Sequence, residues 1–272
     1  MSHYTVAVFT DPLNDGLSVD ALLAPFNENI QVERYLSTTR QEAINHERKY
    51  IASKREEYDQ YLADPEKFIQ ENFGGKTDSY QFTFLTEEFP KRLEWDDEQC
   101  YQHYVEHIDK EFIDEETGDI YSTYNPDSKW DWYAIGGRWG CELFVKEGCD
   151  EESGYTDEAF VRNVDFARMR ADLIEDLTPY QEFMTGDTIF KKEYLQELYP
   201  DEETYIQKNT EFSTFAVITP DGKWYEPGHM GWFGCSGETP EENTEWHKSY
   251  IENFIKPAIE KNWYLTIVDC HI

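Results

Sequence analysis

The sequence predicts an α+β protein: one antiparallel or mixed sheet with helices packed on it, and acidic helical insertions. Three observations carry that expectation. The chain opens on an alternating apolar run, Tyr4-Thr5-Val6-Ala7-Val8-Phe9-Thr10, and closes over 212–270 on a strand–turn–strand–helix–strand pattern. Between these ends lie long segments with apolar residues at helical spacing, so that strands and helices are segregated rather than alternating. With no internal repeat and no low-complexity linker, the reading is a single domain over 1–272, with acidic helical elaborations at about 39–120 and 147–210.

Taken in order, residues 4–10 read as a strand ended by Asp11-Pro12. Ser18 caps a short helix that stops before Pro25. Residues 39–62 form a helix, with Ala43, Ile44, Tyr50, Ile51, Tyr58 and Leu62 in helical register, and Asp64-Pro65 ends it. A second helix covers 65–73 before Gly74-Gly75. Residues 80–85 read as a strand, and 95–113 as an acidic amphipathic helix. Residues 129–135 and 138–145 are expected to be two strands of a hairpin pinched at Gly136-Gly137. Segments 159–176 and 189–198 read as helices. Residues 212–219 and 223–226 form strands about the Pro220-Asp221-Gly222 turn, a glycine-rich loop spans 227–237, Pro240 opens a helix to about Lys261, and 263–270 is the last strand.

Composition bounds the function. The 272 residues include 17 Phe, 19 Tyr and 8 Trp, far more aromatic surface than a disordered acidic chain carries. No basic-plus-apolar leader opens the sequence, and no run approaches the roughly 20 apolar residues of a membrane helix. The five cysteines are irregularly spaced with no CxxC pair, the pattern of reduced thiols, so a cytoplasmic location is expected. No dinucleotide fingerprint, Walker sequence or nucleophile elbow is present, and no cofactor is expected.

The net charge of −33 is unevenly distributed. Residues 94–210 hold 31 acidic and 10 basic side chains, against 16 and 10 in 1–93 and 10 and 4 in 211–272. Such a field repels nucleic acid and anionic membranes and attracts a partner with a basic surface. It reads either as solvated helix faces or as carboxylates arrayed like the phosphates of DNA.

Three segments could carry chemistry. Lys129 to Trp139 packs Trp130, Asp131, Trp132, Arg138 and Trp139 around two glycines; the rings can stack a planar ligand and the guanidinium can grip an anion. The alternative is a hairpin whose Trp rings fill the core and whose Arg138 pairs with Asp131. The loop 227–235 presents His229 and Trp232 among three glycines, over a cleft or as a rigid aromatic turn. At the C-terminus, alternation puts Asp269 and His271 on one strand face, where an Asp can orient an imidazole or help bind a metal. If the first and last strands pair antiparallel, His3 joins them, making His3, Asp269 and His271 the metal candidates. His103 and His107, at i and i+4, read as solvated residues without an HExxH context.

The opening Met-Ser-His-Tyr-Thr-Val with Leu23-Ala24-Pro25-Phe26-Asn27, the run Lys129-Trp130-Asp131-Trp132-Tyr133 through Gly136-Gly137-Arg138-Trp139, Met230-Gly231-Trp232-Phe233-Gly234, and the closing Val268-Asp269-Cys270-His271-Ile272 together resemble an uncharacterised family of bacteriophage and prophage proteins. The resemblance covers roughly 1–35, 122–143 and 211–272. It implies a phage accessory protein acting in an infected or lysogenic bacterial cell, and it assigns no residue a role. Two functions follow as expectations. The first is an acidic inhibitor of a host defence or nucleic-acid-processing protein, acting as a DNA mimic. The alternative is a protein that binds a nucleotide or other small anionic ligand, or a hydrolase, using the Trp/Arg and Asp/His motifs.

Overall fold

The last strand organises the architecture, because its apolar run Leu265-Thr266-Ile267-Val268 is buried on both faces. The computed structural model describes all residues except Met1, Asp15, Asp150, Ile189, Trp232 and Phe233. Its strands are β1 (His3–Thr10), β2 (Tyr35–Thr38), β3 (Ile120–Ser122), β4 (Trp132–Ile135), β5 (Leu143–Val145), β6 (Gly154–Thr156), β7 (Glu158–Phe160), β8 (Ala216–Ile218), β9 (Trp224–Tyr225) and β10 (Tyr264–His271). The chain forms two compact units, one of residues 1–31 and 125–272, the other of 32–124. The acidic helical stretch at 147–210 lies in the first unit and that at 39–120 in the second.

The first unit is built on a mixed six-stranded sheet in the order β4-β10-β1-β8-β9, with β7 also paired to β10. Strand β1 pairs antiparallel with β10 over its whole length and parallel with β8. Along the other edge of β10, β7 takes Tyr264–Thr266 and β4 takes Val268–His271. Between them, the Ile267 carbonyl accepts from Gly136 N–H, and Ile267 N–H donates to the Asp157 carbonyl. One central strand thereby has its backbone groups paired on both sides.

Alternation sorts the two faces. On one, Ala7, Phe9, Val217, Leu265 and Ile267 pack against Tyr250, Phe254 and Ile255. On the other, Tyr4, Val6, Val8, Ala216, Ile218, Val268 and Cys270 meet Leu22, Leu23 and Trp130. The helix supplying Tyr250 begins at Pro240 behind a Thr239–Glu242 capping box. Trp246, Tyr250 and Phe254 recur at i, i+4 on its buried face. Its ladder widens to a π turn over Ile251–Ile255, just before Pro257, which has no N–H to give.

The second unit packs the helix Arg40–Ala63, opened by a Thr39–Glu42 capping box, against the helix Asp97–Val105. Ala43 and Ile44 of the first helix and Cys100, Tyr101 and Val105 of the second cluster with Phe89 from the segment between them. There His103 Nδ1 lies 3.0 Å from Glu47 Oε2, which pins the two helices together. Among the described residues no helix is long and apolar enough to cross a membrane.

Three local expectations are corrected. Residues 80–88 are helical rather than a strand: Ser79 caps the first turn, and Phe82 and Phe84 pack their rings against Phe73 and Phe89. The hairpin about Gly136-Gly137 does not form, because β4 pairs with β10 and β5 pairs with β6. The segment 159–176 is not one helix: a strand and a 3-10 turn precede the helix Phe166–Asp176, which starts at the Asp165 cap.

Candidate functional site

The face of the sheet that buries Phe9 and Leu265 changes character at one end. Along β1 the inward positions run Phe9, Ala7, Thr5, His3; along β10 they run Leu265, Ile267, Asp269, His271. Antiparallel register sets His3 directly opposite His271 and Thr5 opposite Asp269. The three residues that the strand alternation singled out therefore do meet.

They meet as two carboxylate–imidazole dyads. His3 Nδ1 lies 2.8 Å from Asp269 Oδ1, and His271 Nδ1 lies 2.6 Å from Asp131 Oδ1. An ionised carboxylate only accepts, so each Nδ1 carries the proton and each Nε2 presents a lone pair when its ring is neutral. The rings stand edge to face with centroids 4.9 Å apart. Both are held deep: the side chains of His3, Asp269 and His271 are 11%, 3% and 6% exposed, while Asp131 is 28% exposed.

Each carboxylate is itself fixed. Asp269 Oδ2 accepts the backbone N–H of Arg138 at 3.0 Å. Asp131 Oδ1 also accepts from Trp132 N–H, while Asp131 N–H donates to the His271 carbonyl. Such outer partners hold an imidazole in one orientation and one tautomer. Trp132 stacks on His271 at 5.0 Å with planes 18° apart, meets His3 edge-on, and keeps 45% of its surface exposed.

Gly136 and Gly137 serve these carboxylates. Gly137 has φ +55°, and a Cβ there would lie 2.5 Å from Asp269 Oδ2; Gly136 has φ +67°, and its Cβ would lie 2.5 Å from Asp157 Oδ1. Only glycine lets this turn carry the Arg138 N–H onto Asp269 while staying left-handed. Asp157, which also accepts from Cys141 N–H, carried no local signal in the sequence.

The remaining candidates separate. Trp130 is buried on the opposite face of the sheet, its Nε1 donating to the Leu23 carbonyl, edge-on to Tyr133. A strand running over 129–135 would set Trp130 and Trp132 on one face, but β4 begins only at Trp132, and the chain turns at Asp131 to send them apart. The Tyr133 hydroxyl, donating to Asp20, is pushed up to about 12 by burial and then by that carboxylate. Trp139 packs half-buried against the helical core, and Arg138 is exposed, with Asp131 committed to His271 rather than to the guanidinium.

His229 is exposed, its Nδ1 3.9 Å from Glu226 Oε1, beside the Lys129–Glu226 pair and away from the dyads' hydrogen bonds. The loop that carries it is nevertheless tied to the site: Ser2 Oγ donates to the Gly231 carbonyl and accepts from Gly234 N–H. Trp232 lies outside the described residues. Among the described residues, no group of three His, Cys, Asp or Glu is arranged to hold a metal ion. The metal candidates His3, Asp269 and His271 are joined instead, with Asp131, as two hydrogen-bonded dyads. No protein-family model matches the chain, and neither does any curated protein or solved structure.

Proposed function

We propose that this chain is an acid–base hydrolase of a small ligand that carries a planar ring and an ester of an anionic group, the chemistry of a nucleotide. The observation that carries the reading is the cross-strand pair of Asp-oriented imidazoles. One neutral Nε2 takes a proton from water as its oxygen attacks the phosphorus. The other ring, as imidazolium, gives its proton to the departing oxygen as that P–O bond breaks. A pair of oriented imidazoles supplies both functions, and the Asp partners stabilise whichever ring is charged. The exposed Trp132 face offers a base a stacking surface. The family resemblance adds the setting, a phage accessory protein in the cytoplasm of its bacterial host.

A direct test is to denature the purified protein and assay the released small molecules by mass spectrometry, then to incubate fresh protein with a nucleotide panel. A co-purifying nucleotide, or turnover of one panel member, supports the reading. An empty site together with an inert panel refutes it.

A second reading is favoured by charge: an acidic inhibitor that engages the basic surface of a host defence or nucleic-acid-processing protein. Its support is the net −33. The acidic segment 94–210 is shared between the units, since residues 94–124 hold 11 acidic and 1 basic side chains and 125–210 hold 20 and 9. Each unit is thus acidic by itself. A pull-down from host lysate that retains a basic protein at low salt and loses it at high salt supports this reading. Retention that ignores salt counts against it.

A further inference from the structure

A cavity in the first unit, outside the dyads, has a volume of about 550 Å3. Met169, Leu173 and Phe212 give it an apolar side, and Glu142, Asp172, Asp176 and Glu211 line it with carboxylates. Ser213 and His247 lie on its wall, Oγ to Nδ1 at 2.9 Å. Lys208 also lines it, but its ammonium is turned to the Leu198 carbonyl and Asn243 Oδ1, at 3.0 and 2.9 Å.

The unusual group is Glu142. Its Oε2 is sealed from solvent with no hydrogen-bond partner among the described residues. Two of the other carboxylates are already engaged, Asp172 by Arg168 and Tyr155, and Glu211 by Arg170 and Gln207. A carboxylate with one oxygen sealed off and unpaired is costly to ionise, and a positive charge seated in the cavity beside it lowers that cost. We propose that this cavity binds a small organic cation, a primary amine or guanidinium on an apolar body, with the Glu142 carboxylate as its counter-ion. The volume suits a free small molecule, and the apolar side receives its ring or chain.

Titration of the lining groups sharpens the test. Burial raises the Glu142 carboxyl to about 7, so the empty cavity holds it partly protonated at neutral pH. Burial holds His247 neutral down to about 4, with Lys208 adding to the effect. Burial and then Lys248 bring Lys208 down to about 8. A bound cation keeps Glu142 ionised, so binding at pH 7 expels a proton and tightens about tenfold between pH 6 and pH 8.

The experiment is calorimetric titration of the whole chain with tyramine, and with 4-ethylphenol as its uncharged counterpart, at pH 6 and pH 8. The expected result is tyramine binding that is tighter at pH 8, with 4-ethylphenol at least tenfold weaker. Glu142→Gln should lose the affinity and most of its pH dependence, which separates Glu142 from Lys208. Leu173→Trp, at a half-exposed position on the apolar side, should block binding without touching the carboxylate. Equal binding of the two probes, no binding of tyramine at millimolar concentration, or undiminished binding by a folded Glu142→Gln would each overturn the proposal.

Discussion

Replacing Glu142 with Gln should stabilise the empty protein, and more so as the pH rises. The folded state holds the Glu142 proton to about 7, whereas an unfolded chain releases it near 4.5. Between those values the native state binds more protons than the unfolded state, so stability falls with rising pH. The contribution of this group is complete below about 4.5 and is lost as the pH passes 7. Moving a carboxyl that far corresponds to roughly 3 kcal/mol. Part of the side chain lines the half-open cavity, which brings the expected effect nearer to 2 kcal/mol. Glutamine keeps the shape and cannot ionise. Urea unfolding followed by Trp fluorescence at pH 5 and pH 8 measures the difference between variant and parent. His247 titrates with the opposite sign, but it does so in both proteins and cancels. The variant's advantage should grow by about 2 kcal/mol from pH 5 to pH 8. An advantage that is the same at both values would mean that burial does not raise the Glu142 carboxyl.

Gly137→Ala should cost about 2–4 kcal/mol, combining a left-handed penalty with displacement of Asp269. Gly148→Ala, also left-handed at φ +80° but facing open space, should cost only about 1 kcal/mol, and thermal melts of the two variants compare them directly. His247 contributes stability that is present above its ordinary value of 6.5 and lost as the pH falls through about 4. His247→Gln should therefore flatten the loss of stability between pH 6.5 and pH 4, which urea titrations at both ends would measure. Trp130→Phe leaves the Leu23 carbonyl without its donor and should cost about 1–3 kcal/mol in urea unfolding, whereas the exposed Trp132→Phe should be near neutral.

The legible parts of the fold were those whose signal is local. Ser18 caps the helix it was expected to cap, Asp64 ends the helix Arg40–Ala63 as expected, and the opening and closing strands lie within a residue or two of their periodic runs. The pairing of His3 with His271 was conditional on those two strands being antiparallel neighbours, which they are. What alternation could not give was the turn at Asp131, because a carboxylate that leaves the ladder to hold a distant imidazole has no periodic signature. Gly136-Gly137 read as a hairpin for a similar reason: their left-handed backbone answers to Asp157 and Asp269, which lie 21 and 132 residues further along the chain. The aromatic run at 80–85 read as a strand because Phe, Tyr and Thr favour strands. The Ser79 cap and the surrounding rings outweighed that preference. Glu142, Ser213 and His247 come from three separate segments, and only the fold brings them to one cavity.

If the Asp131–His271 and Asp269–His3 dyads work as an acid–base pair, turnover needs both imidazoles. The most direct measurement is the turnover of a nucleotide panel by the parent chain and by His3→Gln, His271→Gln and Trp132→Phe, each checked for unchanged melting. Hydrolysis of one panel member, lost by a factor of about 100 or more in either histidine variant, is the predicted result. It should fall only modestly in Trp132→Phe, which keeps an aromatic face for stacking. Turnover unaffected by both histidine variants, or no turnover and no nucleotide bound by the parent chain, would show that the dyads are not an acid–base pair.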